Sequence, residues 1–165
     1  MLEIYSKDAG KYFEFFELDV EKKSIIYKTR DYNDITIDDM YTYKSYREGT
    51  ILMDGEPVDS YNATEEQYEY IKSLVSLYEE KYNQFKETYQ PSTIKKVNLF
   101  RNKNSELIIY EGPNYEQFYQ CVYITAFEYL KDFLFRYEKV QKEKENQWRK
   151  RIAKIINKFN KNAKN

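Results

Sequence analysis

The chain has 165 residues, with 27 basic and 28 acidic side chains and no histidine. It contains one cysteine, four glycines and three prolines, whereas aromatic residues make up 18% of it. These aromatic residues supply enough apolar area for a packed core, so the composition excludes a disordered or collagen-like chain. No stretch approaches the roughly 18 apolar residues that a membrane-spanning helix needs.

The composition also removes most catalytic chemistry. Without histidine there is no histidine-based triad or histidine zinc site, and the sequence has no glycine-rich phosphate loop. Asp8, Glu21 and Lys23 match the pattern of an aspartate followed by Glu-x-Lys that occurs in metal-dependent nucleases. Glu21 and Lys23, however, fall in a predicted turn, whereas that chemistry needs rigid strand positions. Residues 31–34 begin like a calcium loop, but Thr36 stands where that loop needs glycine. We therefore predict a non-enzymatic protein with no cofactor and no metal site.

The first half of the chain predicts two hairpins and one ambiguous segment. Residues 12–18 and 24–29 read as strands around a polar turn. Residues 31–49 alternate like a strand, yet Thr36 followed three residues later by Asp39 favours a short helix that stops at Gly49. Residues 50–58 predict a tight hairpin around Asp54-Gly55.

The second half predicts two long helices with a hairpin between them. Thr64 to Gln67 forms a capping-box pattern, and apolar residues then recur at steps of three and four as far as Tyr89, before Pro91. This narrow seam favours an intramolecular helix contact over a dimer zipper. A hairpin at 94–110 and a helix entered at residues 112–114 follow, and Cys121 is expected to be a buried, unreactive thiol on that helix.

Together these elements predict an α+β fold, with antiparallel β-hairpins and two main helices. A hairpin followed by a helix occurs twice, which indicates a possible ββα duplication, although convergence of common turn and cap residues explains the likeness as well. Residues 141–147 contain no apolar side chain and predict an exposed helical bridge or a hinge. We therefore expect a globular domain at 1–140 and a basic amphipathic helical extension at 141–165, forming a long or broken C-terminal helix.

The charges are unevenly distributed along the chain. Residues 146–165 contain seven basic residues and no acidic one, which leaves 20 basic and all 28 acidic residues in the rest. A basic amphipathic helix is suited to nucleic acid, an anionic membrane or an acidic groove. It also suits simple packing of its apolar side on the body, with the lysines in solvent. The candidate residues of this basic helix are Trp148, Arg149, Lys150, Arg151, Lys154 and Lys158.

A second candidate surface is acidic and rich in tyrosine. Tyrosine provides a rigid contact surface with a polar tip, and spaced carboxylates match an Arg/Lys-rich groove as nucleic-acid mimics do. Codon bias toward tyrosine explains part of the same pattern, because tyrosine is often only half-buried. The candidate residues of this surface are Asp31, Asp34, Asp38, Asp39, Tyr41, Tyr43, Tyr46, Glu65 and Glu66.

The leading functional hypothesis is a protein-binding module in the cytoplasm, since a single cysteine fits a reducing compartment. Its most concrete form is a small phage or mobile-element inhibitor whose acidic surface docks on a basic, nucleic-acid-binding host protein. The alternative is nucleic-acid binding by the basic helix. Membrane docking is not expected, because Leu2 stands where myristoylation needs glycine and no cysteine lies near the C-terminus. The sequence leaves the oligomeric state open.

Overall fold

The computed structural model describes residues 1–89, 96–101, 107–112 and 115–163. These residues form an α+β fold with an antiparallel sheet and three α-helices. The strands are β1 (Leu2–Asp8), β2 (Tyr12–Asp19), β3 (Ser24–Asp31), β4 (Ile51–Met53), β5 (Glu56–Val58), β6 (Lys96–Arg101) and β7 (Leu107–Gly112). The helices are α1 (Ile37–Ser45), α2 (Glu65–Thr88) and α3 (Tyr115–Ala163).

Within the described residues, the strands form one seven-stranded sheet in the order β5-β4-β1-β2-β3-β7-β6. Each neighbouring pair is antiparallel. The predicted hairpins β2–β3 and β4–β5 are confirmed, and so is the β6–β7 pair. The turn at 102–106, Pro91 and the residues at 113–114 lie outside the described residues.

β1 was missed by the sequence analysis, although it lies near the centre of the sheet. It pairs with β2 on one side and β4 on the other, through Leu2 opposite Leu18 and opposite Met53. The signal was present, because Leu2 and Ile4 alternate with Glu3 and Tyr5 in the manner of a strand.

The sheet separates two apolar clusters, because side chains alternate between its faces. Ile4 and Phe16 belong to the larger cluster, which contains most of the buried residues of α2 and α3. Phe13 and Phe15 belong to the smaller cluster, against which Met40 and Tyr43 of α1 pack. The fold therefore has three layers, with α1 on one face of the sheet and α2 and α3 on the other.

The two long helices begin as predicted and pack against each other. Thr64 caps α2, and its side chain and that of Gln67 each accept a backbone hydrogen bond from the other residue. The rings of Tyr82 in α2 and Phe127 in α3 stack with centroids 4.2 Å apart. This confirms that the aromatic seam of α2 is an intramolecular contact.

The ambiguous segment at 31–49 contains the helix α1, which begins after Thr36, whose side chain accepts a hydrogen bond from the amide of Asp39. α1 ends at Ser45 rather than at Gly49. Cys121 also differs from expectation, since it is only partly buried and lies 3.8 Å from the Thr125 hydroxyl. It lines a cavity between α3 and the sheet, which is why the thiol is not enclosed.

None of the helices within the described ranges is long and apolar enough to cross a membrane.

Candidate functional site

α3 extends well beyond its last buried side chain. Its 49 residues correspond to a length of about 74 Å at 1.5 Å per residue. Tyr137 is the last buried side chain along it, and Val140 is half-buried. Residues 141–147 continue the same helix, so the apolar-free stretch is a helical bridge. The predicted domain boundary at residue 140 falls inside this helix.

The point where α3 leaves the body is fixed by two contacts. The ring of Tyr68 in α2 stacks on that of Tyr137, with centroids 4.3 Å apart. The Tyr68 hydroxyl donates a 2.6 Å hydrogen bond to Glu138, which raises the pKa of Tyr68 to about 12. Further along, the Lys144 ammonium donates to the Tyr61 carbonyl at 3.3 Å and lies over the Tyr61 ring. These contacts tie this part of α3 to α2 and to the segment that precedes α2.

Beyond Lys144 the helix has an exposed apolar face. We call residues 146–163 the tail. Trp148, Ile152, Ile155 and Phe159 follow at steps of four, three and four, which places them on one side of a helix. Trp148 is 62% exposed, Ile155 66% and Phe159 73%, whereas Ile152 between them is only partly exposed. The tail therefore does not pack on the body, contrary to the interpretation that its lysines are simply the outer side of a docked helix.

The tail is basic on its remaining sides. Every candidate residue of the basic helix is helical, and all the basic ones are exposed. No acidic side chain lies between residues 146 and 163. The neighbouring acid Glu145 holds Arg149 through a 2.6 Å ion pair at the start of the tail. Lys164 lies outside the described residues. The structure thus brings the predicted basic residues together around an exposed apolar stripe.

The predicted tyrosine and acid surface is not one surface in the folded chain. Tyr43 and Tyr46 pack against the smaller apolar cluster, and Arg30 donates a 2.5 Å hydrogen bond to the Tyr43 hydroxyl. Tyr41 alone of the three predicted tyrosines is largely exposed, at 73%. It lies one helical turn from the exposed side chain of Ile37.

The acidic members of that surface are associated with helix and turn starts. The Asp31 side chain accepts from the amide of Asn33 at the head of a single 3-10 turn that contains Asp34. Asp38 and Asp39 lie in the first turn of α1, where a negative charge favours the helix dipole. Glu65 and Glu66 occupy the same place in α2, on the opposite face of the sheet. The structure therefore separates these carboxylates into two groups.

Within the part of the chain that the structure describes, cavities border α3 in at least two places. The larger, about 350 Å³, lies between α3, the segment at 45–50 and the end of β5. Several polar side chains of its lining already have partners. Arg136 forms a 2.9 Å ion pair with Asp132, and the Tyr129 hydroxyl donates a 2.8 Å hydrogen bond to Glu48. The smaller, about 190 Å³, contains Glu14, a buried carboxylate in the middle of β2 that the sequence analysis did not single out.

No protein-family model, curated protein or solved structure matches this chain.

Proposed function

We propose that this protein is a non-enzymatic binding protein that docks on a partner protein through its tail, which enters an apolar groove lined by acidic side chains. The observation that carries the proposal is the exposed stripe of Trp148, Ile155 and Phe159 at the end of a helix whose root is anchored in the body. Large apolar side chains clustered on one helix face are the anchors of helix-in-groove recognition. The proposal keeps the protein-binding class but moves the contact from the acidic surface to the tail.

The exposed apolar area is large enough to matter energetically. Fully burying one large apolar side chain contributes about 1.5–3 kcal/mol. Four residues of the tail, including Ile156, are each more than half exposed, so covering the stripe yields on the order of 5 kcal/mol. Association costs consume part of that free energy, so charge contacts are needed for a stable complex. The basic flanks of the tail supply them when the groove is acidic.

The same features weigh against nucleic acid and membrane as the main partner. Phosphate contacts would use the lysines and arginines but leave the apolar stripe in water. A bilayer would cover the stripe. However, the 28 acidic residues of the chain all precede residue 146, where they outnumber the 20 basic ones. Both an anionic membrane and a nucleic acid repel such a body, whereas a local acidic groove repels it less.

Pairing of two tails is also disfavoured. A parallel pair along the stripe would place the basic flanks of both helices side by side, with no acid between residues 146 and 163 to neutralise them. Coiled coils normally place opposite charges at those flanking positions. An acidic partner protein would neutralise the basic flanks of the tail, whereas a second copy would not.

The test places a photo-cross-linking amino acid at position 159, on the apolar stripe, or at position 157, on the polar side. We expect cross-links to one protein from position 159 and none from 157. The captured protein, once purified, should shift the emission of Trp148, the chain's one tryptophan, to shorter wavelength. Neutralising the acidic groove of that protein should abolish the shift.

The matched variants separate the apolar stripe from general charge. Trp148→Ser/Ile155→Ser/Phe159→Ser should lose the complex, whereas Asn146→Ser/Gln147→Ser/Asn157→Ser, on exposed polar positions of the same helix, should retain it. Salt-dependent binding to duplex DNA or to anionic phosphatidylserine vesicles that survives the apolar substitutions would overturn the proposal.

A further inference from the structure

The smaller cavity has features of a small-ligand site that are independent of the tail. It lies between the sheet and α3, and its volume is about 190 Å³. An apolar protein cavity of about 150 Å³ is large enough to hold benzene. Phe16, Phe118 and Val122 form apolar walls, while hydroxyl and carboxylate groups line the rest. A ligand of about six non-hydrogen atoms, with one polar end, matches this lining.

A β-bulge shapes the polar end of the cavity. Tyr5 pairs with Phe15 but Lys7 pairs with Glu14, so Ser6 is an extra residue in β1. Consecutive strand residues normally point to opposite faces of a sheet. Here Ser6 and Lys7 both line the cavity. Bulges occur preferentially where a strand re-aims side chains beside a site.

Glu14 is the group that most needs a partner. It is only 5% exposed, and its Oε2 atom has no hydrogen-bond partner within the part of the chain that the structure describes. Tyr27 hydrogen-bonds to the same carboxyl, and Ser6 in turn hydrogen-bonds to Tyr27. The Lys7 ammonium lies 3.9 Å from Oε2, which is beyond hydrogen-bond distance, and its side chain is 58% exposed. A buried carboxylate oxygen without a donor is costly, so one donor is missing.

The charges around Glu14 favour a cationic donor. Asp8 and Glu48 act on Glu14 as further negative charges, and Lys7 is the positive charge that opposes them. A metal ion is less suited, since the described residues contain no cluster of three or more side chains of metal-ligating type. An ammonium group supplies both the positive charge and the N–H donors, and charge-assisted hydrogen bonds of this kind are the strong ones.

We propose that this cavity binds a small primary amine in its protonated form, with the ammonium group on Glu14 Oε2 and a short apolar chain against Phe16, Phe118 and Val122. Tyr27 holds the carboxyl in place through its hydrogen bond. Lys7 competes weakly for the same oxygen from the outside.

The test titrates the full chain at pH 7 with butylammonium chloride and, in parallel, with 1-butanol, which has the same chain and no charge. Binding is followed by NMR chemical shifts of the Glu14 carboxyl and of the Glu14 and Thr125 amides. We expect saturable shifts with butylammonium and binding of 1-butanol weaker by about tenfold. Glu14→Gln should weaken butylammonium binding by about tenfold, whereas Lys7→Met, which removes the competitor, should tighten it by about twofold.

Glu17→Gln is the matched control, because Glu17 lies on the same strand but pairs with Lys28. It should leave butylammonium binding unchanged. Equal affinity for 1-butanol and butylammonium, or shifts that do not saturate, would overturn the proposal without any variant. Unchanged binding in a folded Glu14→Gln chain would overturn it as well. Since none of these measurements involves the tail, failure here leaves the proposed docking function standing.

Discussion

The backbone amide of Ile25, at the start of β3, donates a 3.2 Å hydrogen bond to the hydroxyl of Tyr123, in the first quarter of α3. The same hydroxyl donates to the Lys23 carbonyl at 3.0 Å, within the turn that precedes β3. Tyr123 is fully buried, and burial raises the pKa of its hydroxyl, which therefore stays protonated. One side chain thus satisfies two backbone groups of the β2–β3 hairpin and holds α3 against the sheet.

Tyr123→Phe is expected to lower the free energy of unfolding by about 1–3 kcal/mol, because it leaves a buried amide without its acceptor. Urea denaturation followed by circular dichroism measures the change. Tyr119→Phe is the matched control, since Tyr119 is only partly buried and its hydroxyl bonds to Lys81 and Tyr123 rather than to that amide. Equal losses in the two variants would contradict this role for Tyr123.

Gly49 is expected to be the least replaceable of the three glycines at positions 10, 49 and 55. A Cβ atom at Gly49 would lie 2.8 Å from the ring of Tyr129, whereas one at Gly10 would meet nothing within 4 Å. Gly10 and Gly49 both have φ of +89°, so an alanine at either position has the same energetic cost of a left-handed backbone conformation. Gly10→Ala should cost about 1–2 kcal/mol, and Gly49→Ala at least about 1 kcal/mol more, because Tyr129 must move. If thermal or urea unfolding showed equal losses of stability for Gly10→Ala and Gly49→Ala, the Tyr129 ring would have moved aside at no cost, contrary to this prediction.

Glu14→Gln is expected to stabilise the fold at neutral pH. Burial raises the pKa of Glu14 above its ordinary value of 4.5, so the folded chain holds this proton more tightly than the unfolded chain. The stability that this provides is therefore present below pH 4.5 and is lost as the pH rises through the raised pKa. Glutamine cannot ionise and avoids that loss.

Unfolding of both forms at pH 4 and pH 7 measures this effect. Glu14→Gln should be more stable than the unaltered chain at pH 7, with a smaller difference at pH 4. If Glu14→Gln stabilised the fold equally at both pH values, or more at pH 4, that result would contradict a raised pKa of Glu14 in the folded chain. A variant that gains stability while losing amine binding would match the trade-off common at binding sites.

Removal of the tail is expected to leave the body intact. Chains ending at residue 145 keep Tyr68, Tyr137 and the Lys144 contact with Tyr61, so the root of α3 is unchanged. The free energy of unfolding should change by less than about 0.5 kcal/mol. A loss of about 2 kcal/mol or more in the truncated chain would mean that the tail packs against the body.

The sequence predicted those elements that depend on a few neighbouring residues, such as a turn or a helix cap. Asp54-Gly55 fixed the β4–β5 hairpin, where both residues adopt positive φ, and Thr64 with Gln67 fixed the start of α2. β1 is short of local signals, and its place in the sheet depends on pairing with β4, more than 40 residues away, as well as with the adjacent β2. The burial of Glu14 was likewise invisible, since a strand pattern does not show which face the long helices cover.

The placement of the tail was the least predictable feature of the candidate site. Its amphipathic pattern is the same whether the apolar stripe contacts the chain's own body or another molecule. The structure separates these alternatives through the length of α3, which carries the stripe beyond Tyr137 and the last anchoring contact at Lys144. The predicted acidic surface is divided because its residues on α1 and those at the start of α2 lie on different faces of the sheet, which the sequence order does not show.

The most direct test of the account is acrylamide quenching of Trp148, which is the only tryptophan and reports the tail alone. Trp148 is 62% exposed, so its emission should be that of a solvated indole, quenched as readily as in a free peptide of residues 141–165 at every protein concentration. Emission at shorter wavelength with strong protection, in dilute protein without a partner, would show that the stripe is already covered and would contradict the docking role of the tail.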